Sequence, residues 1–341
     1  MVLFFVFLYY VRDVLIILAF SIVIASGINP FAEWLEKKKL PRLLGVLLLY
    51  LAVFGIAAFI LSLVVPIISV EINNLTETLP KLFESISGAL EKAQRTSTAG
   101  YFDFISEIQN LLDAFSQFLH VSSQSTASFI VSIFGGILSF VAVIILSFYL
   151  SAMKGGIVSF VESILPQNQE DYVINLIRRS EKKVGRWLQG QLLLALTVGL
   201  MVFVGLSFLN IKFALLLGIA AMILEVIPMV GPVIAAVPAV ILAGIQDPIL
   251  GLWVVIFYVV IQQIENHILA PLILGKATGL NPVTVITALL IGGKLAGVLG
   301  FILAVPVAVV IVEIIEDMAK RKGEHKIIPQ DDEHVAIPTI K

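Results

Sequence analysis

The sequence predicts an all-α, polytopic membrane protein of about 7–8 transmembrane segments, with broken or re-entrant helices and an extracytoplasmic amphipathic helical insert. Of its 341 residues, 59% are apolar and only 13% are charged, whereas soluble domains hold about 45–50% and 25%. The mean hydropathy is +1.04. Apolar runs of nearly the length that crosses a bilayer as a helix, about 20 residues, recur along the chain. So few charged residues cannot cover a water-facing surface. We therefore expect the protein to lie in the lipid bilayer, which is its predicted partner.

The composition also excludes several classes of function. The formal net charge is −2, so the chain has no strongly basic surface for nucleic acid. It has no cysteine, which excludes disulfides and cysteine-bound metal, and its four histidines are scattered. The sequence signatures of P-loop ATPases, serine hydrolases and zinc proteases do not occur. We therefore expect that the protein is not an enzyme and uses no cofactor or metal. The remaining expectation is transport that is facilitated or driven by a gradient.

The N-terminal part predicts membrane crossings. Residues 2–28 are apolar except for Arg12 and Asp13, and the ten residues from Val2 to Val11 are too few to span alone. Either one long tilted helix fills this stretch, or two helices meet at the charged pair. A polar segment begins at Asn29, and residues 43–65 form a further clear span that a proline closes.

Residues 67–126 have a different pattern. Leucine, isoleucine and phenylalanine recur there at helical spacing, with polar residues between them. The region holds seven acidic and three basic residues, whereas helices that lie on a membrane surface favour basic polar faces. We therefore predict a pair of amphipathic helices outside the membrane core that pack against protein.

The rest of the chain completes the predicted organisation. Seven of the 14 prolines fall within residues 188–318, so broken helices are expected there. The predicted parts are N-terminal transmembrane helices (1–66), the extracytoplasmic insert (67–126), a transmembrane helix (127–152), a cytoplasmic amphipathic linker (153–187), a C-terminal transport region with broken helices (188–318) and a disordered cytoplasmic tail (319–341).

The distribution of lysine and arginine predicts the orientation, because cytoplasmic loops are enriched in them. Residues 29–42 contain four, residues 154–187 contain six and the tail beyond residue 319 contains five, whereas the longer segment 67–126 contains three. Two predicted crossings separate the first two basic segments, which places both on one side. We therefore expect a multi-pass protein of the cell membrane with the basic segments and the C-terminus in the cytoplasm.

The first break in the transport region lies at residues 227–232, Ile-Pro-Met-Val-Gly-Pro. Proline removes a backbone donor, and in hydrocarbon a freed backbone group is tolerated only beside protein or a water-filled cavity. Secondary transporters hold substrate or ions near the midplane with such broken helices, and Glu225 beside the break would be costly in lipid. The alternative is a kinked, fully packed helix. Whether residues 213–245 cross fully or return on the same side stays open.

A second polar interruption follows at residues 262–282. Gln262, Glu265 and Asn266 lie at i, i+3 and i+4, hence on one helical face. This face must meet protein partners or water at membrane depth, or else it is the wetted end of a helix at the interface. Lys294, inside a later apolar run, can snorkel, pair with one of the buried glutamates or contact the solute.

Small and aromatic residues of the chain predict packing and anchoring. Four glycines of one apolar run allow close helix approach: Gly292, Gly293, Gly297 and Gly300. Three tryptophans near the predicted span ends are interpreted as interfacial anchors: Trp34, Trp187 and Trp253.

These motifs together resemble the autoinducer-2 exporter-like (AI-2E) transporter family. The resemblance rests on the segments EVIPMVGP (225–232), QQIENHILAP (262–271), GK (275–276), GLNP (279–282) and IGGKLAGVLG (291–300), the last of which runs into AVP (304–306). It implies about eight membrane segments, with two hairpin-like broken regions in the C-terminal half. It also implies a homo-oligomer, with a pentamer as the expected form, and elevator-like movement.

The candidate residues for binding a solute or ion come from these motifs. They are Glu225, Pro228, Gly231, Pro232, Gln262, Gln263, Glu265, Asn266, Lys276, Asn281, Pro282, Gly292, Gly293 and Lys294. Against the family pattern, the first helix is shortened to residues 2–11, which leaves the first crossing open. Lys294 stands where the family more often has an uncharged residue, which could alter the charge preference.

Three functions are compatible with the sequence. The first, which we predict, is an exporter or facilitator of a small polar solute such as an autoinducer-2-like signal. The second is Na⁺(Li⁺)/H⁺ antiport through Glu225 or Glu265, which needs a titrating acid in the membrane; against it, no Asp-Asp or Asp-Asn pair occurs inside a span. The third is a non-transporting scaffold, which has no reason to keep polar groups at membrane depth.

Overall fold

The computed structural model describes residues 2–66, 70, 136–162, 170–274 and 279–324. The predictions for the insert and for the tail beyond residue 324, and the candidate Lys276, lie outside these residues. The described part is helical and contains no strand. Five of its helices are long and apolar enough to cross a membrane, and three shorter apolar helices accompany them. The predicted all-α, polytopic membrane fold is confirmed.

The first helix, α1 (Val2–Lys37), is continuous through Arg12, Asp13 and Pro30. This decides between the two interpretations of the N-terminus, since no second helix begins at the charged pair. A separate first helix over residues 2–11 is therefore absent from this described segment. The polar segment that begins at Asn29 is helical as well, and only residues 38–41 form the turn that follows.

A neighbouring helix covers the backbone group that Pro30 leaves without a donor. Pro30 has no N–H for the carbonyl of Ser26, one turn earlier. Gly185 approaches this carbonyl so closely that any side chain at position 185 would collide with it. One residue further on, the side-chain amide of Gln189 donates to the Gly27 carbonyl at 2.7 Å. The helix can continue through proline because its neighbour packs on the freed backbone.

The other described helices follow in chain order. They are α2 (Arg42–Pro66), α3 (Ile137–Ala152), α4 (Gly156–Glu162), α5 (Glu170–Phe208), α6 (Ala214–Leu224), α7 (Gly231–Gln246), α8 (Pro248–Ile264), a π-helical turn (Glu265–Leu269), α9 (Ala270–Ile273) and α10 (Pro282–Glu324). Helices α1, α2 and α3 pack together, and the Tyr50 hydroxyl of α2 donates to Ser147 Oγ of α3 at 2.8 Å. Most other side chains of α2 are apolar and exposed, as a lipid-facing helix requires.

The basic segments gather at one end of the structure, here called the basic end. Three polar contacts bridge them: Lys154 with Glu36, Asn29 with Glu181, and Arg179 with Glu313. These contacts join the α1–α2 turn, the α3–α4 turn, the first half of α5 and the last part of α10. The described basic segments therefore lie at one end of the structure, as predicted, and the cytoplasmic location of this end stays a prediction. The opposite end, where α5 ends at Phe208, is called the far end.

Helices α6 and α7 form a hairpin that opens to the far end. Helix α6 runs antiparallel to α5, with Gly218 packed on Gly199. Helix α7 begins beside the end of α6 and runs antiparallel to α8, because Gly251 contacts Gly244 and the Tyr258 hydroxyl donates to the Ala235 carbonyl at 3.4 Å. Residues 213–245 therefore return on the same side, with the tip of the hairpin at residues 225–230.

Helix α10 is also a hairpin, and it opens to the basic end. Ala296 and Gly297 leave the helical conformation, and Gly297 has φ +57°. Gly292 packs on the Gly300 carbonyl, although eight residues of straight helix would separate them by about 12 Å. The chain therefore reverses between them, and the second arm returns to the basic end, where Glu313 lies. Three of the glycines predicted to allow close helix approach, Gly292, Gly293 and Gly300, do so between the two arms of one hairpin, whereas Gly297 forms the reversal itself.

The second predicted interruption, residues 262–282, contains a helix end: residues 279–281 are non-helical between α9, which ends at Ile273, and α10, which begins at Pro282. A second reversal of the chain lies outside this range. From Gln262 to Ile273 the chain stays helical, and the π-helical turn widens the helix without ending it. The reversal comes about 30 residues later, at Gly297, where no break was predicted. Glycine inside an apolar run is a weak local signal, because helices tolerate it when packing compensates.

Helix α5 joins two apolar cores. The hairpin core contains the second half of α5 with α6, α7 and α8, and the scaffold core contains α1, α3, the first half of α5 and the second arm of α10. Trp187 lies in the scaffold core and is only 2% exposed. The prediction of an interfacial anchor is therefore wrong for Trp187, since its indole fills the contact between α1, α3 and α10. Trp34 and Trp253 are each 54% exposed.

Candidate functional site

Two glutamates face each other at the tip of the α6–α7 hairpin. Glu225 is the first residue after α6 and is fully buried, at 0% exposure. Glu265 opens the π-helical turn after α8 and is 4% exposed. Their carboxyl groups are close enough to interact electrostatically. The structure thus brings together the acids of two motifs that are 40 residues apart in the sequence.

Gln191 of α5 completes this cluster, and sequence analysis missed it. Its side chain is 1% exposed and donates from Nε2 to the backbone carbonyl of Glu225 at 2.6 Å. This carbonyl follows the last turn of α6, where helix carbonyls lose their regular donors. An amide so near the start of the apolar run 188–209 was the available signal. It was not recognised because Gln191 belongs to none of the motifs.

Gln262 and Asn266 extend the cluster towards the surface. Gln262 Nε2 donates to Glu265 Oε2 at 3.3 Å and lies 3.5 Å from Asn266 Oδ1. The predicted shared face of these three residues is therefore present. Gln262 is half-buried and Asn266 is exposed. Gln263 is exposed and does not join the group; its carbonyl oxygen lies 3.0 Å from His267 Nδ1.

The electrostatics of the cluster are one-sided. Among the residues that the structure describes, neither Glu225 nor Glu265 forms an ion pair with lysine, arginine or histidine. Within the same residues, both carboxylate oxygens of Glu225 and the Oε1 atom of Gln191 are buried without a hydrogen-bond partner. The C-terminal end of α6, the negative end of its helix dipole, points at the same place. Two carboxyl groups buried together without a cationic partner favour uptake of a proton or a cation.

The tip itself is shaped by backbone constraints. Gly231 packs so closely on the Leu224 carbonyl that a side chain there would collide with it, and Met229 has φ +65°. Gly231 and Pro232 are buried at the start of α7, and Pro228 is half-buried within the turn. These residues hold the turn tight and carry no polar side chain. Their place at the tip agrees with the predicted break at residues 227–232.

Gln191 lies near the middle of the part of α5 that is apolar enough to cross a membrane, Val173–Phe208. About 25 Å of helix separate it from Phe208 and about 27 Å from Val173. The expected position of the cluster near the membrane midplane stays a prediction.

The remaining candidates lie apart from the acid pair. Asn281 Oδ1 accepts a hydrogen bond from the Val283 backbone at 3.1 Å, which with Pro282 is the arrangement of a helix N-cap. Gly292 and Gly293 pack on the second arm of α10. Lys294 is exposed beside the reversal of α10, and no ion pair joins it to a glutamate within the described part of the chain.

Comparison with known proteins identifies relatives along nearly the whole chain. The family model described as "AI-2E family transporter" matches residues 1–320. "Putative transport protein YueF" of Bacillus subtilis is 33% identical over 290 residues, which cover 83% of this chain and 78% of that protein. "Putative transport protein YrrI" of the same organism is 30% identical over 92% of this chain and 89% of its own length. "AI-2 transport protein TqsA" of Escherichia coli is 23% identical over 91% of this chain and 88% of its own length.

Proposed function

This chain belongs to the AI-2E family of membrane transporters, and on that premise we propose that it carries a small polar solute across the cell membrane as an exporter or facilitator. The proposed solute class is a small hydroxylated molecule like the autoinducer-2 signal, because one relative is named an AI-2 transport protein. The proposal agrees with the polar cluster at the hairpin tip.

The observation that carries the proposal is the burial of Glu225 at this tip. Polar groups at membrane depth are costly and, in transporters, belong to substrate or ion sites at discontinuous helices. A scaffold gains nothing from placing Glu225 beside Glu265 and Gln191. The tip at residues 225–230 and the π-helical turn supply the discontinuity.

Two features support an elevator-like movement of the hairpin region. The hairpins open to opposite ends, as inverted arrangements in secondary transporters do. The hairpin core and the scaffold core are distinct; α5 contributes residues to both, and Leu274 packs against both. In the proposed cycle, α6–α8 move against the scaffold core. The exposed apolar side chains of α2 are proposed to face lipid and neighbouring copies in a homo-oligomer, with a pentamer as the proposed form.

The orientation is proposed from charge. The basic end collects the lysine- and arginine-rich segments, and such segments remain in the cytoplasm. The basic end and the C-terminus are therefore placed on the cytoplasmic side of the cell membrane, and the far end outside.

Uptake of labelled autoinducer-2 into proteoliposomes tests the solute proposal. We expect uptake above that of empty vesicles. In Glu225→Gln, uptake should fall at least about tenfold, because losing an interaction that lowers the transport barrier by about 1.4 kcal/mol slows the rate by this factor. Glu33→Gln, which changes an exposed glutamate of α1, is the matched control and should transport normally. Uptake equal to empty vesicles for autoinducer-2 and for a panel of small polyols would contradict the proposal.

Na⁺(Li⁺)/H⁺ antiport is a second candidate, favoured by the facing carboxyl groups of Glu225 and Glu265. An acid that binds a proton or a cation in turn is what antiport requires. We expect Na⁺-dependent proton movement in the same vesicles, abolished by Glu225→Gln and by Glu265→Gln. Proton movement that is unchanged in both variants would remove these acids from the mechanism.

A further inference from the structure

We propose that the turn between α1 and α2 binds the headgroup of an anionic phospholipid through Lys37, Lys38 and Lys39. The partner is a lipid of the surrounding bilayer, and its phosphate is the group that the lysines recognise. The proposal depends neither on the transported solute nor on the orientation of the protein in the membrane.

The three lysines have no acidic partner within the described part of the chain. All of them are exposed, and none takes part in an ion pair there. The adjacent acid, Glu36, is already paired, since Arg42 lies 3.5 Å and Lys154 3.3 Å from its carboxylate oxygens. Glu33 is exposed one turn earlier in α1, so the cations around the turn outnumber the acids. The turn therefore presents a positive charge that suits an anionic partner.

The backbone of the turn holds Lys39 in a conformation that glycine adopts with less strain. Lys39 has φ +68°, and its N–H donates to the Glu36 carbonyl at 2.9 Å. The N–H of Leu40 donates to the Leu35 carbonyl at 3.3 Å. This is the Schellman end of a helix, in which the residue with positive φ is usually glycine. A lysine there costs stability, and strained positions of this kind are concentrated at functional sites.

An aromatic side chain places one of the lysines at the level of the lipid headgroups. Trp34 is exposed near the end of α1, and Lys38 Nζ lies 3.7 Å from the centroid of its ring. Exposed tryptophan prefers the boundary between hydrocarbon and water. A lysine stacked on this ring is therefore held where the phosphates of the bilayer lie, and its ammonium group retains N–H donors for phosphate oxygens.

Exposed apolar residues on both sides of the turn favour a lipid over a soluble anion. Phe31 of α1 and Leu43 and Leu44 at the start of α2 are exposed. They continue into the apolar, lipid-facing surface of α2, so an acyl chain can lie against them while its headgroup reaches the lysines. A soluble phosphate uses none of these apolar groups.

Quenching of Trp34 fluorescence by brominated phospholipids in proteoliposomes tests the proposal at the site itself. The full-length protein carries Trp253→Phe for this measurement, and Trp187 is buried, which leaves Trp34 as the tryptophan that lipid reaches. The vesicles are equimolar phosphatidylcholine and phosphatidylglycerol, with bromine on one lipid at a time. We expect quenching that corresponds to at least about tenfold enrichment of phosphatidylglycerol beside Trp34, because each lysine near an anionic lipid contributes about fivefold.

Two variants remove a lysine and keep the turn. Lys39→Gly places glycine at the position with positive φ, so its unfolding midpoint should equal or exceed that of the wild type. Lys37→Gln changes an exposed side chain. Each should lower the enrichment about fivefold. Lys212→Gln, which changes an exposed lysine at the far end, is the matched control and should leave the enrichment unchanged.

Equal quenching by the two brominated lipids would overturn the proposal, as would an enrichment that Lys37→Gln and Lys39→Gly leave unchanged. Inorganic phosphate added to the vesicles should not reduce the quenching. If it displaces the brominated lipid, the turn is a site for a free anion, and the lipid proposal is wrong. Quenching requires no transport, so a loss of lipid selectivity refutes this site alone, and a lack of autoinducer-2 uptake with intact selectivity refutes the solute proposal alone.

Discussion

At the residue scale, the absence of a side chain decides where backbones of this protein can touch. Gly292 faces the Gly300 carbonyl across the α10 hairpin, and Gly185 faces the Ser26 carbonyl that Pro30 leaves free. In a membrane, water neither pairs with exposed backbone nor drives helices together. Close contacts at small residues therefore supply the packing that holds helices in place. The two sites hold the two arms of one hairpin together and join α5 to the scaffold.

Gly292→Val is expected to destabilise the α10 hairpin. The added side chain would meet the Gly300 backbone, which cannot move without opening the reversal at Gly297, and overpacking of this kind costs about 1–3 kcal/mol. The apparent unfolding midpoint of the purified protein should fall by several degrees, about 2–6 °C. Gly244→Ala is the control, because a Cβ atom there has nothing within 4 Å. A midpoint that falls equally in both variants would contradict the close packing of the hairpin arms.

At the element scale, α5 connects the two halves of the molecule. Its first half pairs with the second arm of α10 through Arg179 and Lys183, which contact Glu313. Its second half forms one wall of the hairpin core and carries Gln191. Any displacement of the hairpin core relative to the scaffold must therefore pass through α5, and the ion pairs at the basic end set how firmly α5 is held.

Lys183→Glu should weaken the attachment of α10 to α5. The Glu313 side chain is 8% exposed, so a like charge beside it is costly, although Arg179 remains as a partner and Lys183 is 31% exposed. We expect a loss of about 1–2 kcal/mol, since exposed pairs are worth less than buried ones. Thermal unfolding in detergent measures it.

The charge-swapped double variant Lys183→Glu with Glu313→Lys tests whether the pair itself is responsible. It should recover part of the lost stability, because the swap restores opposite charges at the same contact. Lys182→Glu, at an exposed neighbouring position, should have little effect. If the double variant is less stable than the sum of its single changes predicts, the contact does not act as an ion pair.

At the scale of the whole molecule, the two hairpins extend into the protein from opposite ends. The α6–α7 hairpin opens to the far end, and the α10 hairpin opens to the basic end. Glu225 lies at the tip of the first hairpin, and Lys294 lies beside the reversal of the second.

Labelling of introduced cysteines tests this topology without background, since the sequence contains no cysteine. Lys38→Cys lies in the turn at the basic end and Lys212→Cys in the turn after α5 at the far end. A membrane-impermeant maleimide applied to intact cells should label position 212 and should label position 38 only after the cells are opened. The reverse pattern would invert the orientation, and labelling of both positions in intact cells would contradict the separation of the two ends.

The sequence by itself determined the class of the protein, its family motifs and the first break. Length and composition of the spans decide membrane residence, because the thickness of lipid imposes them locally. The break at residues 227–232 was predictable for the same reason, since each proline acts on its own turn of helix. The common face of Gln262, Glu265 and Asn266 followed from helical spacing alone.

Only the tertiary structure decided which polar groups meet and where the chain reverses a second time. Gln191 reaches Glu225 across 34 residues and Glu265 reaches it across 40, and no local pattern records such contacts. Trp187 is buried because α1, α3 and α10 converge on it, and α10 reverses at Gly297 because its two arms pack on each other. These features depend on packing between distant segments, whereas hydropathy and helical periodicity report only on neighbours along the chain.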